Sequence, residues 1–86
     1  MRRIYFDNAA TSFPKPPSVP QAMADYAIKV GASAGRGAYA EAMESRRIIA
    51  DCRKKIAELI NAPDPDHIIM TFNCSDGLNL AIHGLV

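Results

Sequence analysis

The feature that most constrains this chain is a nearly continuous apolar run at residues 67–72, His-Ile-Ile-Met-Thr-Phe. A short apolar run between two turn-forming segments is typical of a strand that is covered on both faces, as in a parallel sheet. We therefore predict one core strand and an α/β fold class. Because one strand cannot make a parallel sheet, its neighbours must come from other sequence or from another chain, and we interpret the 86 residues as a fragment.

Three helices are predicted around this run. Ser18 begins the first, with Gln21 at capping-box spacing, and Gly31 ends it because glycine adopts a left-handed conformation at low cost. The second is predicted from about Tyr39 to Ile60, and the third from Leu78 to Val86. The residues expected to form the buried stripe of the second helix are Ile49, Cys52, Ile56, Leu59 and Ile60.

The segments between these elements are predicted to be irregular. In the arm that opens the chain, Ile4–Phe6 is compatible with a short strand, and three prolines that disfavour helix follow it. Residues 31–38 form a loop of small residues around a single cation, Arg36. A Pro-Asp-Pro-Asp turn precedes the apolar run, and we expect His67 to open the strand.

Charge, apolar run length and cysteine spacing argue against several classes of protein. Ten Lys and Arg against nine Asp and Glu give a net charge of +1, which argues against a nucleic-acid partner. No apolar run approaches the ~18 residues of a membrane span, and the start is not a signal peptide. Cys52 and Cys74 are far apart in sequence, which indicates a reduced, cytoplasmic chain without a disulfide or a zinc site.

The turn from Thr71 to Gly77 is the best candidate for a binding site. A helix N-terminus presents unpaired N–H groups and the positive end of the helix dipole, so it binds phosphate readily. Cys74 and Ser75 would supply N–H groups there, and the Ser75 hydroxyl adds a donor. The alternative is that Ser75 or Asn73 only caps the helix.

Two further segments are candidates for ligand contacts. Residues 7–11, Asp-Asn-Ala-Ala-Thr, combine small residues with side-chain donors, although they also suit an ordinary polar turn. Arg36 lies between Gly35 and Gly37, and an arginine can bind a carboxylate in a forked geometry. The alternative for Arg36 is an exposed loop cation without a partner.

The order of these segments resembles the class V aminotransferase family, in its cysteine desulfurase and selenocysteine lyase branch. Residues 4–11, Ile-Tyr-Phe-Asp-Asn-Ala-Ala-Thr, are similar to the opening signature of that branch. Residues 32–39 resemble its next loop, residues 46–59 its following helix, and residues 68–82 the strand and turn that hold the cofactor phosphate. The resemblance covers essentially the whole chain.

This resemblance implies the pyridoxal-phosphate-dependent transferase fold of aspartate aminotransferase type. The 86 residues would be its N-terminal portion, with an arm at 1–17, a helix and loop at 18–38, and the start of the large cofactor-binding domain at 39–86. Such enzymes use pyridoxal 5′-phosphate and are usually homodimers with active sites at the subunit interface. Members of this branch take sulfur from L-cysteine, or selenium from L-selenocysteine, and leave L-alanine.

The resemblance also assigns roles to individual residues. Cys74 and Ser75 match the Ala-Thr pair that holds the cofactor phosphate, and cysteine in place of alanine is a departure that keeps the backbone N–H. The residues that match substrate-binding positions of the family are Asn8, Ala9, Ala10 and Arg36.

No catalytic residue of the family has a match in this chain. The lysine that binds the cofactor covalently, the aspartate on its ring nitrogen and the cysteine that receives sulfur all follow later in the family pattern. None of Lys15, Lys29, Lys54 or Lys55 matches that lysine, so we expect the chain alone to be inactive. The alternatives are another class V activity, such as transamination, epimerisation or kynurenine cleavage, and a non-catalytic module that self-associates.

Overall fold

A computed structural model describes residues 2–85, which form three α-helices and one turn of 3₁₀ helix. Helix α1 spans Ser18–Lys29, α2 spans Ala40–Leu59 and α3 spans Cys74–Leu85, with the 3₁₀ turn at Pro65–His67 between α2 and α3. The chain divides into two compact units, and the division falls within α2 after Ser45. No helix in the described part is both long and apolar enough to cross a membrane.

Helix α1 begins and ends where the sequence predicts, but the predicted capping hydrogen bonds do not form at its start. Pro17 is the N-cap and makes no side-chain cap bond. The Gln21 side chain donates to Asp25 Oδ1 at 3.0 Å instead of reaching back, so the predicted capping box is wrong. At the other end, Gly31 has φ +52° and donates its N–H to Tyr26 O at 2.8 Å. An added Cβ at Gly31 would lie 3.1 Å from Ala27 O, so this helix end requires glycine.

Helix α2 ends in a Schellman arrangement built on an asparagine. Asn61 has φ +58° and donates to Glu58 O at 3.3 Å, and Ala62 donates to Ala57 O at 2.8 Å. These two bonds satisfy carbonyls that the end of a helix leaves without intrahelical partners. The end of the helix therefore lies within one residue of its predicted position, and local chemistry accounts for it.

The buried side of α2 is not the predicted apolar stripe. Small residues are buried instead: Ala42, Ser45 at 2% exposed, and Ala57. Leu59 is 83% exposed, and Cys52 is exposed rather than a core residue. Burial requires other atoms to lie against the helix, and among the described residues these cover Ala42, Ser45 and Ala57 more fully than the predicted stripe.

Neither predicted strand forms in the part of the chain that the structure describes. Residues 2–85 contain no β-strand, so Ile4–Phe6 and residues 67–72 lie outside regular secondary structure apart from His67, which ends the 3₁₀ turn. Ile68 does have extended dihedrals, φ −95° and ψ +120°, and it is buried. Extended backbone becomes a strand only when a neighbouring backbone pairs with it. The third helix also begins four residues before its predicted start at Leu78.

Candidate functional site

The start of α3 is organised by the asparagine just before the helix. Asn73 Oδ1 accepts a hydrogen bond from Asp76 N at 2.8 Å, which is the N-cap contact. Asp76 Oδ2 accepts in turn from Phe72 N at 3.2 Å, and Thr71 Oγ1 donates to Asn73 O at 3.1 Å. Of the two capping residues considered from the sequence, Asn73 performs this role.

The cap leaves two backbone donors at the helix start. The first intrahelical bond at this end runs from Gly77 N to Asn73 O at 3.1 Å, and Asp76 N is bound by the cap. Within residues 2–85, the N–H groups of Cys74 and Ser75 have no hydrogen-bond partner. Both residues are exposed. Two N–H groups at the positive end of a 12-residue helix, with the Ser75 hydroxyl beside them, are a donor set that fits a phosphate.

The Asp7–Thr11 segment is a closed turn and not the end of a strand. Ala10 N donates to Asp7 O at 3.1 Å, and Thr11 N donates to the same oxygen at 3.4 Å. The Tyr5 hydroxyl lies 3.0 Å from Asp7 O and 2.9 Å from Thr11 O, so its one proton is shared between the two ends of the turn. Ala9 and Ala10 are exposed on this turn.

Phe13 and Lys15, which follow in the arm, contact the same turn. Asn8 Oδ1 accepts a hydrogen bond from Phe13 N at 3.3 Å, and the rings of Tyr5 and Phe13 pack with centroids 5.4 Å apart. Lys15 Nζ donates to Thr11 Oγ1 at 3.3 Å and to Ser12 O at 2.9 Å. The side-chain oxygen of Asn8 is therefore engaged within the arm, which leaves its NH₂ group as the donor for any ligand.

Arg36 lies on a loop with defined geometry. Gly35 N donates to Ser33 Oγ at 3.3 Å, and Gly37 has φ +92° with the ring of Tyr39 over it. Arg36 is exposed, and among the described residues its guanidinium has no hydrogen-bond or ion-pair partner in the structure. A planar donor group that is held on an ordered loop without an internal partner suits a carboxylate from outside the chain.

Two residues that the sequence analysis missed hold the start of this loop. Ser45 Oγ donates to Ala32 O at 2.7 Å, and the Tyr26 hydroxyl lies 3.0 Å from both Ala32 O and Ser45 Oγ. Ser45 belongs to α2 and is the one buried polar residue among those described. The available sequence signal was its position three residues after Ala42, on the same helix face.

The predicted site residues are distributed over both units. The turn with Asn8, Ala9 and Ala10 and the loop with Arg36 lie in the first unit, and Cys74 with Ser75 lies in the second. No hydrogen bond or ion pair joins that turn to Arg36 among residues 2–85. The binding roles of these residues stay predictions.

Comparison with known proteins gives one consistent result. A family model described as aminotransferase class-V matches residues 4–86. A "Probable cysteine desulfurase" of Streptomyces coelicolor is 42% identical over 82 residues, which are 95% of this chain and 19% of that protein. One of Methanothermobacter thermautotrophicus is 38% identical over 82 residues, 95% of this chain and 20% of that protein. "Cysteine desulfurase CsdA" of Escherichia coli is 31% identical over 77 residues, 90% of this chain and 19% of that protein.

No solved structure matches the chain. The chain spans about one fifth of the length of the curated relatives that it matches. The match nevertheless begins at the opening signature and continues through the turn at the start of α3, so it includes every candidate site residue. Because the family model matches all but the first three residues, the chain belongs to the class V aminotransferase family.

Proposed function

We propose that these residues are the N-terminal portion of a pyridoxal-phosphate-dependent enzyme that removes sulfur from L-cysteine, or selenium from L-selenocysteine, and releases L-alanine. Family membership indicates the pyridoxal-phosphate-dependent transferase fold. The observation that favours this reaction over other class V activities is that relatives 31–42% identical to the chain are named cysteine desulfurases. The two free thiols suit a cytoplasmic enzyme, since that compartment keeps thiols reduced.

The start of α3 would hold the phosphate of the cofactor. Cys74 and Ser75 contribute backbone N–H groups, and Ser75 adds its hydroxyl. The carboxylate of Asp76 is turned back to Phe72 N, so it is engaged by the turn and not by the ligand. When bound, the cofactor acts as an electron sink for bonds broken at the substrate amino acid.

Arg36 and the Asn8–Ala10 turn would hold the substrate. The guanidinium of Arg36 binds the carboxylate of the amino acid through paired N–H donors. On the turn, the small side chains of Ala9 and Ala10 leave room for the ligand to approach the backbone. The NH₂ group of Asn8 is available as a donor because its oxygen is bound by Phe13 N.

Residues 1–86 do not include a group for covalent attachment of the cofactor under this proposal. Two of the four lysines have local partners: Lys15 binds Thr11 and Ser12, and Lys55 pairs with Asp51 at 3.0 Å. We therefore expect the 86-residue chain to show no desulfurase activity by itself. Borohydride reduction with pyridoxal phosphate, followed by peptide mapping, tests this, and stoichiometric labelling of one lysine would refute it.

The substrate proposal is tested in the gene product that carries this segment. We expect it to release sulfide and L-alanine from L-cysteine and to show no turnover with L-kynurenine or with an amino donor and a 2-oxo acid. Arg36→Ala should raise KM for L-cysteine about 10- to 100-fold, which corresponds to the loss of about 1.5–3 kcal/mol from a charged hydrogen bond. Arg3→Ala removes another exposed arginine and serves as the matched control. Turnover of L-kynurenine in place of L-cysteine would contradict the proposal.

We also propose that the chain self-associates, as a homodimer or a larger homo-oligomer. The observation behind this is the exposure of large apolar residues in the second unit, with Ile69 68%, Phe72 98% and Leu85 87% exposed. Light scattering over a dilution series should show association that Ile69→Lys abolishes. Ile28→Lys, at a residue 80% exposed in the first unit, should leave it unchanged. A monomer at high concentration would contradict this proposal.

A further inference from the structure

We propose that Tyr26 and Ser45 are positioning residues that fix the Arg36 loop in the conformation in which Arg36 meets the substrate carboxylate. The inference rests on the proposed role of Arg36 and extends it to two residues that have no ligand contact of their own. It assigns them one shared acceptor, the carbonyl oxygen of Ala32 at the start of the loop.

The carbonyl oxygen of Ala32 and the hydroxyls of Tyr26 and Ser45 form a hydrogen-bond network, to which each hydroxyl contributes one proton. Ser45 Oγ is 2.7 Å from the carbonyl oxygen, and the Tyr26 hydroxyl is 3.0 Å from that oxygen and 3.0 Å from Ser45 Oγ. A carbonyl oxygen has two lone pairs, so it can accept from both hydroxyls at once. Alternatively, Tyr26 donates to Ser45 while Ser45 donates to the carbonyl. In a third arrangement Ser45 donates to Tyr26 while Tyr26 donates to the carbonyl. In every arrangement a hydroxyl donates to Ala32 O, and Ser45 Oγ is the closer of the two, at 2.7 Å against 3.0 Å for Tyr26.

The burial of Ser45 argues that its hydroxyl serves this contact. Ser45 is 2% exposed, and a buried hydroxyl without a partner is destabilising. Ala42, one turn earlier on the same face of α2, is fully buried without any hydroxyl. An alanine at residue 45 would therefore satisfy the packing of the helix, and what serine adds is a bond to the loop.

The contact at Ala32 holds the start of the loop, and further contacts order the residues around Arg36. Gly35 N is bound to Ser33 Oγ, and the backbone at Gly37 takes φ +92° under the ring of Tyr39. The side chain of Arg36 is exposed, and its guanidinium has no internal partner among the described residues. Forked recognition of a carboxylate requires a defined direction of approach, and a preordered loop avoids the entropy loss of ordering on binding.

The first experiment measures loop order in the 86-residue chain by amide hydrogen exchange. Ser45→Ala and Tyr26→Phe should each speed the exchange of the amides of residues 33–37, about tenfold for Ser45→Ala, as the loss of one hydrogen bond predicts. Ser12→Ala changes an exposed serine of the arm and should leave these amides unchanged. If Ser45→Ala does not fold, Tyr26→Phe still tests the network, because it keeps the ring. Unchanged exchange in the loop would overturn the inference.

The second experiment separates positioning from general stability in the gene product that carries this segment. Ser45→Ala should raise KM for L-cysteine about tenfold with kcat within twofold, and it should add no further rise when Arg36 is already alanine. Additive effects of the two substitutions on KM would overturn this inference and leave the proposed role of Arg36 intact. A normal KM in Ser45→Ala beside a raised KM in Arg36→Ala would do the same. An unchanged KM in Arg36→Ala would overturn the proposed role of Arg36 and this inference with it.

Discussion

Gly37 is the position at which the shape of the Arg36 loop can be tested most directly. Its φ of +92° is a conformation that residues with a Cβ rarely adopt. An added Cβ would lie 2.6 Å from Tyr39 Cε1 and 3.0 Å from Cδ1, so the ring must move. Gly35, two residues earlier, has no such problem, because its nearest contact would be Ser33 Oγ at 3.8 Å.

Two effects contribute to the expected loss of stability in Gly37→Ala: the displacement of the Tyr39 ring and the left-handed backbone of the new alanine. Tyr39 is 54% exposed, so its ring can swing toward solvent at small cost, and the backbone contribution dominates. An alanine with a left-handed backbone costs about 1–2 kcal/mol. We therefore expect Gly37→Ala to lower the free energy of unfolding by about that amount. Gly35→Ala should be neutral or stabilising by up to about 1 kcal/mol, because it restricts the unfolded chain.

Thermal unfolding by circular dichroism distinguishes the two variants. For a domain of this size, about 1 kcal/mol shifts Tm by roughly 4–8 °C. Gly37→Ala, with an expected loss of about 1–2 kcal/mol, should lower Tm by roughly 4–16 °C. Gly35→Ala should leave Tm unchanged or raise it. Adding Tyr39→Ala should recover little of the loss in Gly37→Ala, because the backbone strain remains. Equal Tm values for the two glycine variants, or full recovery by Tyr39→Ala, would refute the reasoning.

Three further predictions concern helix ends and one ion pair. Asn61→Gly should raise the free energy of unfolding by a few tenths of a kcal/mol and Asn61→Ala should lower it by about 1 kcal/mol, measured in urea, because residue 61 has a left-handed backbone. Asn73→Ala should lower it by about 1 kcal/mol through loss of the cap, while Asn73→Asp keeps the cap and stability in the same titration. The hydrogen bond and charge of Lys55 lower the pKa of Asp51, so the pair stabilises the fold above about pH 4 and this effect is lost as the pH falls through the lowered pKa. Asp51→Asn should therefore slightly reduce Tm at neutral pH, and the reduction should shrink as the pH falls below about 4. A reduction that keeps its full size in acid would contradict this.

The helix ends that the sequence predicts correctly depend on contacts within a few residues. Gly31 ends α1 through its own φ and a bond to Tyr26 O, and both follow from glycine at that position. The end of α2 lies close to the predicted residue, where Asn61 takes the left-handed conformation before Pro63. The capping box at Ser18 was predicted from the same kind of spacing and is wrong, because Gln21 finds a partner four residues later in Asp25. Local signals compete with one another, so the presence of a helix is easier to predict than the chemistry of its first turn.

Burial could not be predicted from periodicity, because periodicity identifies a helix face without identifying what lies against it. The apolar stripe of α2 has the correct spacing, yet Leu59 and Cys52 are exposed while Ala42 and Ser45 are buried. Ser45 is buried, and its hydroxyl contacts a loop carbonyl, Ala32 O, and the Tyr26 hydroxyl. No pattern within the helix specifies the position of that loop.

In the candidate site, too, some features depend on nearby residues in the sequence and others depend on distant ones. The donors of Cys74 and Ser75 are predictable, because a polar turn followed by a helix exposes N–H groups wherever that sequence occurs. The ordering of the Arg36 loop was not predictable, because its start is held by Tyr26 and Ser45, which are 6 and 13 residues from Ala32 in sequence. A resemblance in short motifs identifies the groups that could touch a ligand. The residues that hold the backbone beside those groups, as Ser45 holds Ala32, become visible only when the backbone is in place.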